Sequence, residues 1–320
     1  MNVLKFGGTS VASSENITKV IAIVASRKEK LIVVVSALGG ITDLLLEAAQ
    51  KTTQKDITYK QLFKEIEDRH LTCIKELIPV KEQSSILALV KTKLNQLETI
   101  LDSAYALQET SARTLDIISS FGELLSSTII SHAMALKNFN VVLKDARELI
   151  KTDGNYGKAT VNFETTNNLC EAYFLKTKYN VTIVPGFVAS SSNGETTTLG
   201  RGGSDYTAAI LASAINAEQL EIWTDVSGMF TANPKLVKQA YAIPNISYEE
   251  AMELSHFGAK VLYPPTIQPC VKKQIPIFIK NTFSPEATGT SISKNANGNG
   301  KPVRGITHIE NIALLCRREG

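Results

Sequence analysis

The sequence predicts an α/β protein with a mostly parallel, open sheet sandwiched between layers of helices. Two strand, loop and helix units open the chain, because "NVLKF" and "LIVVVSA" are each followed by paired glycines and then by apolar residues at helical spacing. The second run, residues 31–37, is continuous and rich in β-branched residues, which is typical of a strand covered on both faces. Loops after such strands meet at one edge of a parallel sheet, so we expect them to form one site.

The middle of the chain is predicted to be helical. The stretches "QLFKEIEDRHLTCIKELI" and "SSILALVKTKLNQLETILDSAYAL" have the apolar spacing of amphipathic helices, and we expect a helical insertion over about residues 59–115. Strand patterns return in "NVVLKDA" (140–146), "VTIVPGFVA" (181–189) and "LEIWTDV" (220–226), with a helical "DYTAAILASAINA" between the last two. These strands also end in polar or glycine-containing loops.

One large domain is predicted over residues 1–292. The stretch "SKNANGNGKP", residues 293–302, is typical of a flexible linker because it is rich in Gly, Asn and Lys. Residues 303–320 begin like a new strand-bearing element, and we expect them to be the truncated start of a further domain.

The composition favours a globular enzyme that acts on a small molecule. Of 320 residues, 43% are hydrophobic, and a net charge of +3 is too small to indicate binding to nucleic acid or to a membrane. No apolar run is long enough to span a bilayer or to form a signal peptide, so we expect a cytoplasmic protein. The four cysteines form no C-x-x-C pair and the four histidines have no ligand spacing, so the sequence predicts no metal-binding residues.

The segment "KFGGTS" suits phosphate binding without matching a P-loop. Its Lys5 precedes the glycines, so the spacing of a Walker A motif is absent. Gly7 and Gly8 would let backbone N–H groups approach phosphate oxygens at a helix N-terminus, with the Lys5 charge beside them. A plain strand-to-helix turn with an exposed lysine explains the segment equally well.

The segment "LGRGGSD" suits a carboxylate better than a dinucleotide. Its glycines lack the G-x-G-x-x-G spacing, and Arg201 stands among them. An arginine fork binds a carboxylate with two hydrogen bonds, and the adjoining glycines let a ligand approach the backbone. The alternative is a turn with an exposed arginine, followed by Ser204 and Asp205 as caps of the next helix.

Other candidates also have ordinary explanations. Thr224 and Asp225 end a strand and are compatible with a simple turn. Glu123 is expected to open a helix, where the helix dipole alone favours a carboxylate. Lys260 is compatible with a surface lysine.

Seven segments taken together resemble the aspartate kinases in order and spacing. They are "KFGGTSVA", "VVVSALGGIT", "FGELLS", "PGFVA", "LGRGGSDYTA", "EIWTDVSGMFTANP" and "SYEEAMELSHFGAKVLYPPTI". The resemblance covers nearly all of residues 1–292 and is greatest to the kinase portion of bifunctional aspartokinase/homoserine dehydrogenases. It implies the amino-acid kinase (carbamate kinase-like) fold and transfer of phosphate from MgATP to the β-carboxylate of L-aspartate. That reaction is the first step toward threonine, methionine and lysine.

The resemblance also assigns site residues by position. It implies catalytic roles for Lys5, Asp205 and Lys260, with Asp205 orienting the lysines. It implies contacts to ATP at Lys5, Phe6, Gly7, Gly8, Thr224, Asp225, Phe230, Lys235, Lys260 and Val261. It implies contacts to L-aspartate at Ser36, Ala37, Thr42, Glu123, Phe187, Arg201, Gly202, Gly203 and Ser204.

These assignments agree with the chemistry of acyl-phosphate formation. A carboxylate with an ordinary pKa of about 4 is already ionised at pH 7, so the reaction needs no general base. It needs alignment and positive charge around the transferring group, which Lys5, Lys260 and Mg²⁺ would supply. Arg201 would bind the substrate α-carboxylate and Glu123 its ammonium.

Five positions depart from the pattern of the family. Phe230 replaces a frequent tyrosine, and Asn233 and Lys235 replace the Asp and Arg of "T-x-D-P-R". Lysine cannot reproduce the bidentate grip of arginine, so nucleotide binding is expected to be weaker or rearranged. In "VLYPPT", Tyr263 and Pro265 stand where the family commonly has histidine and arginine.

Two other functions remain open from the sequence. One is a different amino-acid kinase, acting on glutamate or acetylglutamate, although Glu123 as a partner for a free ammonium argues against an N-acylated substrate. The other is a non-catalytic amino-acid sensor that keeps the fold. The family further implies a homo-oligomer, a dimer or larger, and a regulatory (ACT-like) domain beginning in residues 303–320, with feedback control by threonine or lysine.

Overall fold

The protein is described by a computed structural model over residues 1–256, 261–294, 296 and 303–307. Lys260 and most of the predicted linker and regulatory segment therefore lie outside the described residues. The helices are α1 (Ser14–Ala25), α2 (Ile41–Thr53), α3 (Tyr59–Leu77), α4 (Gln83–Leu107), α5 (Ala112–Leu136), α6 (Phe163–Lys176), α7 (Gly203–Ala214), α8 (Tyr248–His256) and α9 (Pro264–Lys273). The strands are β1 (Asn2–Phe6), β2 (Leu31–Val35), β3 (Val141–Leu143), β4 (Lys151–Thr152), β5 (Val181–Pro185), β6 (Val188–Ser191), β7 (Thr196–Thr198), β8 (Leu220–Thr224), β9 (Asn245–Ile246), β10 (Ile277–Asn281) and β11 (Thr290–Ile292).

The main sheet has eight strands in the order β3-β5-β2-β1-β8-β10-β11-β9. Every neighbouring pair is parallel except β10 and β11, which are antiparallel. The strand β1 lies near the middle, paired with β2 on one side and β8 on the other. The predicted class, a mostly parallel open sheet between helical layers, is confirmed.

Alternate residues of the central strands face two separate cores. In β1, Leu4 and Phe6 pack with helices α1 to α5, whereas Val3 packs with α6 to α9. Side chains along a strand point alternately to its two sides, so each central strand contributes to both cores. This explains why β2 has an uninterrupted apolar sequence and why all five residues of both β1 and β2 are buried.

The predicted helical insertion forms a long antiparallel pair. Helices α3 and α4 pack against each other and against α2. They bury an apolar stripe on one side of each helix, including Ile66, Ile74, Leu94 and Leu101. Among the described residues, no helix is both long enough and apolar enough to cross a bilayer.

The prediction of one strand over residues 181–189 is wrong. The chain breaks at Gly186 and Phe187, so β5 stays in the main sheet while β6 joins a second sheet in the order β4-β6-β7. Phe187 has φ +66°, a left-handed conformation that a run of apolar residues does not reveal. Gly186 is required because a Cβ there would lie 2.6 Å from the Cβ of Ser204.

A test of the helical pair is the substitution Leu94→Ala in α4. Leu94 is 0% exposed, so the cavity is expected to lower the free energy of unfolding by about 2–5 kcal/mol in urea titrations. Leu107, on the same helix, is 76% exposed, and Leu107→Ala is expected to change stability by less than about 0.5 kcal/mol. Equal losses in the two variants would contradict the packing of α4.

Candidate active site

A cavity of about 530 Å³ opens at the carboxyl edge of the sheet. Its wall includes Lys5 from β1, Ser36 just after β2 and Phe187 just after β5. The loops after β2 and β5 therefore contribute to one cavity, as expected, whereas Lys5 belongs to the strand β1 itself. The cavity also collects predicted residues from helices and loops, namely Thr42, Glu123, Arg201, Gly202, Gly203, Ser204 and Asp205.

An ion pair between Lys5 and Asp205 lies in this cavity. The Lys5 Nζ is 2.7 Å from Oδ1 of Asp205, and the two side chains are only 11% and 15% exposed. Lys5 shares a strand face with Val3, the face that packs toward α7, and Asp205 lies in the first turn of α7. The strand alternation of β1 thus aims the ammonium at the start of this helix.

The alternative interpretation, in which Ser204 and Asp205 cap α7, does not match the structure. The N-cap residue is Gly202, and it makes no side-chain capping hydrogen bond. Ser204 instead donates from Oγ to Oε1 of Glu123 over 3.4 Å, and Asp205 pairs with Lys5. Both side chains are directed into the cavity because the helix begins two residues earlier than the sequence suggested.

Glu123 lies in the middle of α5, not at its start, so the expected role as a helix-opening residue is wrong. The apolar pattern preceding it continues the helix back to Ala112, whose N-cap is Ser111. Glu123 is 4% exposed, and its Oε2 has no hydrogen-bond partner among the described residues. Burial raises the pKa of Glu123 to about 8, although the Ala37 N–H, Ser204 and the Lys5 charge act in the opposite direction.

The loop that carries Arg201 depends on left-handed glycines. Gly200 and Gly202 have φ +71° and +70°, and a Cβ on Gly202 would come within 2.9 Å of Thr266 Cγ2. The Arg201 side chain is exposed to the cavity, with its guanidinium 5.3 Å from the centre of the Tyr263 ring. The loop therefore presents the arginine on an aromatic support.

The glycines after β1 differ from the sequence interpretation. The Gly7 N–H donates to the Trp223 carbonyl at 3.0 Å, so it is occupied by the protein itself. A short 3₁₀ turn follows Gly8, and α1 begins only at Ser14. Gly8 packs closely because a Cβ there would lie 3.3 Å from the Ala37 carbonyl oxygen. The helix α1 therefore does not begin at these glycines, and the assignment of Gly7 and Gly8 to the ATP phosphates stays a prediction.

The remaining predicted nucleotide residues lie beside this site on the β8 side. Thr224 ends β8 and donates from Oγ1 to Asp225 at 3.1 Å. Phe230 pairs with Ala242 across an isolated bridge, and Lys235 is exposed. Among the described residues, no hydrogen bond or ion pair connects Phe230, Lys235 or the half-buried Val261 with Lys5 or Asp205. The buried Phe6 lies in β1, next to Trp223 of β8.

The sequence interpretation missed one side of the cavity. This side is formed by Leu46, Leu115, Asp116, Ser119, Gly157 and Thr198. Asp116 and Ser119 precede Glu123 by seven and four residues, which places the three on one face of a helix. That spacing was a usable signal, but it required knowing that α5 continues through "LDIISSFGELL".

Comparison with known proteins agrees with this geometry. The model of the amino acid kinase family matches residues 1–281. The chain therefore belongs to the amino acid kinase family. A carbamate kinase from Giardia lamblia bound to AMP-PNP shares the fold at 13% identity, with a TM-score of 0.52 over 92% of this chain and 98% of that one.

Within the family, the resemblance to aspartokinases is confirmed. An aspartokinase of Chlamydia pneumoniae is 37% identical over 90% of this chain and 62% of its own length. The crystal structure of E. coli aspartokinase III with aspartate and ADP has a TM-score of 0.87 and 32% identity, covering 95% of this chain and 67% of that one.

Longer relatives are bifunctional. The bifunctional aspartokinase/homoserine dehydrogenase 1 of Arabidopsis thaliana is 34% identical over 98% of this chain. The chain spans 35% of the length of that relative.

The raised pKa of Glu123 predicts an unusual dependence of stability on pH. Between pH 4.5 and about 8 the folded protein keeps a proton that the unfolded chain releases, so stability falls as the pH rises through this window. The isosteric Glu123→Gln variant lacks this penalty. Its stability relative to wild type is expected to increase from pH 5 to pH 8, by on the order of a few kcal/mol in urea unfolding.

The matched control is Glu164→Gln, an exposed glutamate in α6. It is expected to keep the shape of the wild-type stability profile. A Glu123→Gln profile parallel to the wild-type profile would mean that Glu123 ionises normally in the folded protein.

Proposed function

We propose that this chain transfers the γ-phosphoryl group of MgATP to the β-carboxylate of L-aspartate, giving 4-phospho-L-aspartate. The observation that carries the proposal is one cavity lined by a buried carboxylate, an arginine and a buried lysine that is ion-paired at 2.7 Å. These are Glu123, Arg201 and Lys5. An amino acid with a second carboxylate has an ammonium to pair with Glu123, an α-carboxylate to pair with Arg201 and a side-chain carboxylate to lie near Lys5.

Substrate recognition is assigned to opposite charges in the cavity. The ammonium of aspartate would meet the unpartnered Oε2 of Glu123, and its α-carboxylate would meet Arg201. The pKa of about 8 matters here, because an arriving ammonium favours the ionised form of Glu123. Thr42, Ser36 and Ser204 contribute hydroxyl groups to the same wall. Phe187, Gly202 and Gly203 line the same cavity, and the Ala37 N–H donates to the carboxylate of Glu123.

Phosphoryl transfer requires a positive charge at the transferring group and alignment of the nucleophile. Lys5 supplies the charge, and Asp205 holds its ammonium against the start of α7, where the helix dipole also favours an anion. The substrate carboxylate attacks without losing a proton, so no residue is required as a base. Lys260 is proposed as a second positive charge on the basis of the sequence resemblance.

The nucleotide is proposed to lie beside β1 and β8. Lys5, Phe6, Gly7, Gly8, Thr224 and Asp225 surround the ends of these strands, and Phe230, Lys235 and Val261 are proposed as peripheral contacts. The described residues form no cluster of three His, Cys, Asp or Glu side chains suited to a metal cage. Mg²⁺ is proposed to be carried on the ATP phosphates, whose negative charge it would neutralise when bound. The complex of E. coli aspartokinase III with aspartate and ADP supports the same pairing of ligands.

Residues 1–292 are proposed as the catalytic domain, 293–302 as a linker and 303–320 as the start of a regulatory domain. The described part of that segment packs on the catalytic body. Ile306 donates its N–H to the Thr231 carbonyl at 2.8 Å, and Arg304 pairs with Glu250 at 3.1 Å. These contacts hold Arg304 and Ile306 against the proposed catalytic domain. Homo-oligomerisation remains a proposal from the family.

The decisive experiment is a panel of amino acids assayed for ADP release with MgATP. L-Aspartate is expected to give turnover, whereas L-glutamate and N-acetyl-L-glutamate are not. Lys5→Ala is expected to lower kcat by about 100-fold or more, because it removes preorganised charge at the transferring group. Lys19→Ala removes an exposed lysine paired with Glu15 in α1 and is the matched control, with turnover unchanged.

Three outcomes would overturn the proposal. Turnover with acetylglutamate but not aspartate would assign a different amino-acid kinase. Aspartate binding without any nucleotide binding in calorimetry would assign a sensor. Equal activity of Lys5→Ala and Lys19→Ala would remove Lys5 from the reaction.

Aspartate binding is expected to release a proton from Glu123. At pH 7 a carboxyl of pKa about 8 is mostly protonated, and pairing with the substrate ammonium drives the proton off. Titration calorimetry in two buffers of different ionisation enthalpy is expected to give a release of roughly one proton per site. Glu123→Gln should abolish this release, and a wild-type release of zero would refute the pairing.

A further inference from the structure

Asp116 is a buried carboxylate in the cavity wall that the proposed reaction does not use. It is 3% exposed and lies on α5, seven residues before Glu123. Residues seven apart on a helix lie on the same face, about two turns or roughly 10 Å along the axis. The helix α5 therefore presents two carboxylates to one cavity, and they differ in what surrounds them.

Within the described structure, all the hydrogen bonds to the Asp116 carboxylate come from neutral groups of two other segments. The Gly157 N–H is 3.1 and 3.0 Å from the two carboxylate oxygens. The Thr198 N–H donates to Oδ2 at 3.0 Å, and the Thr198 Oγ1 hydroxyl donates to Oδ1 at 2.7 Å. Among the described residues, no lysine or arginine forms an ion pair with Asp116. The hydrogen bonds that the Asp116 carboxylate accepts therefore hold the segments of Gly157 and Thr198 against α5.

These two pieces support the Arg201 loop. Thr198 is the last residue of β7 and precedes Arg201 by three residues. The Gly157 carbonyl oxygen lies 3.3 Å from the position of a Cβ on Gly200, so residue 157 backs the loop directly. At the rim, Glu195 in the β6–β7 hairpin accepts from the Tyr156 hydroxyl at 2.7 Å and pairs with Arg113 of α5 at 3.0 Å.

We propose that Asp116 is a positioning residue that ties the Arg201 loop to α5 and so sets the span between Arg201 and Glu123. The inference rests on the proposed function, because that span matters only if the two groups bind the two ends of an amino acid. A fixed span selects a substrate by length. Asp116 thus contributes to the preference for aspartate over the longer glutamate without touching either.

The test is Asp116→Asn, which keeps the size of the side chain but turns one acceptor into a donor facing N–H groups. The KM for L-aspartate is expected to rise about 10- to 100-fold, because misplacement of a binding group by about 1 Å has effects of this size. The KM for ATP and the kcat are expected to stay within about threefold, since Lys5 and Asp205 are untouched. The ratio of kcat/KM for aspartate to that for glutamate is expected to fall.

A second pair of variants separates positioning from folding. Thr198→Val removes only the hydroxyl donor to Asp116 and is expected to raise the KM for aspartate in the same direction. Thr198→Ser keeps the hydroxyl and is expected to restore the wild-type KM. If Val and Ser variants behave alike, or if both KM values and kcat worsen together in Asp116→Asn, the positioning role is refuted.

A readout without substrate keeps this inference distinct from the proposed function. Backbone amide exchange at Gly157 and Thr198 is expected to accelerate at least about tenfold in Asp116→Asn, as local opening becomes easier. Unchanged exchange overturns the proposal. Absence of aspartate turnover in the wild type overturns the proposed function instead, and the span-setting role falls with it.

Discussion

The ion pair between Lys5 and Asp205 is the constraint on which the site depends. A lysine in the central strand of a sheet with two buried faces must either point at a carboxylate or lose its charge, because an isolated buried ammonium is very costly. Asp205 meets this requirement from the first turn of α7, at 2.7 Å. The pair thereby fixes where α7 begins relative to β1. Gly202 and Phe187 adopt left-handed backbone conformations beside the start of α7. Gly186 has no side chain to collide with Ser204 in the first turn of that helix.

Two carboxylates on α5 show how environment assigns different tasks to one residue type. Asp116 receives hydrogen bonds from Gly157 and Thr198, and so contributes rigidity to the wall. Glu123 is equally buried but has an oxygen without a partner among the described residues, and burial raises its pKa to about 8. A buried carboxylate with all its hydrogen bonds made stabilises the local structure. A buried carboxylate without a partner destabilises the empty site, and a ligand that pairs with it removes that cost. The cavity combines both within two turns of helix.

The sheet and its two cores were predictable because their signal is local. The apolar runs of β1, β2 and β8 and the amphipathic α3 and α4 are written in consecutive residues. What the sequence hid depends on contacts between distant residues. The break at Phe187 follows from the close approach of Gly186 to Ser204, and the occupied N–H of Gly7 follows from Trp223. The hydrogen bonds of Asp116 reach Gly157 and Thr198, which are 41 and 82 residues away in the sequence. Motif order predicted many of the residues that line the cavity, but not which of them form hydrogen bonds within the protein.

The ends of the main sheet have a consequence for association. The strand β3 at one edge has three residues, and β9 at the other has two. Edge strands this short offer few unpaired backbone groups to another chain, so growth of the sheet from molecule to molecule is disfavoured. Any contact between copies of this chain would then fall to helices and loops rather than to the edges of the main sheet. Both faces of the main sheet are covered by helices and both of its edge strands are short. The sheet therefore offers little backbone on which another chain could add a strand.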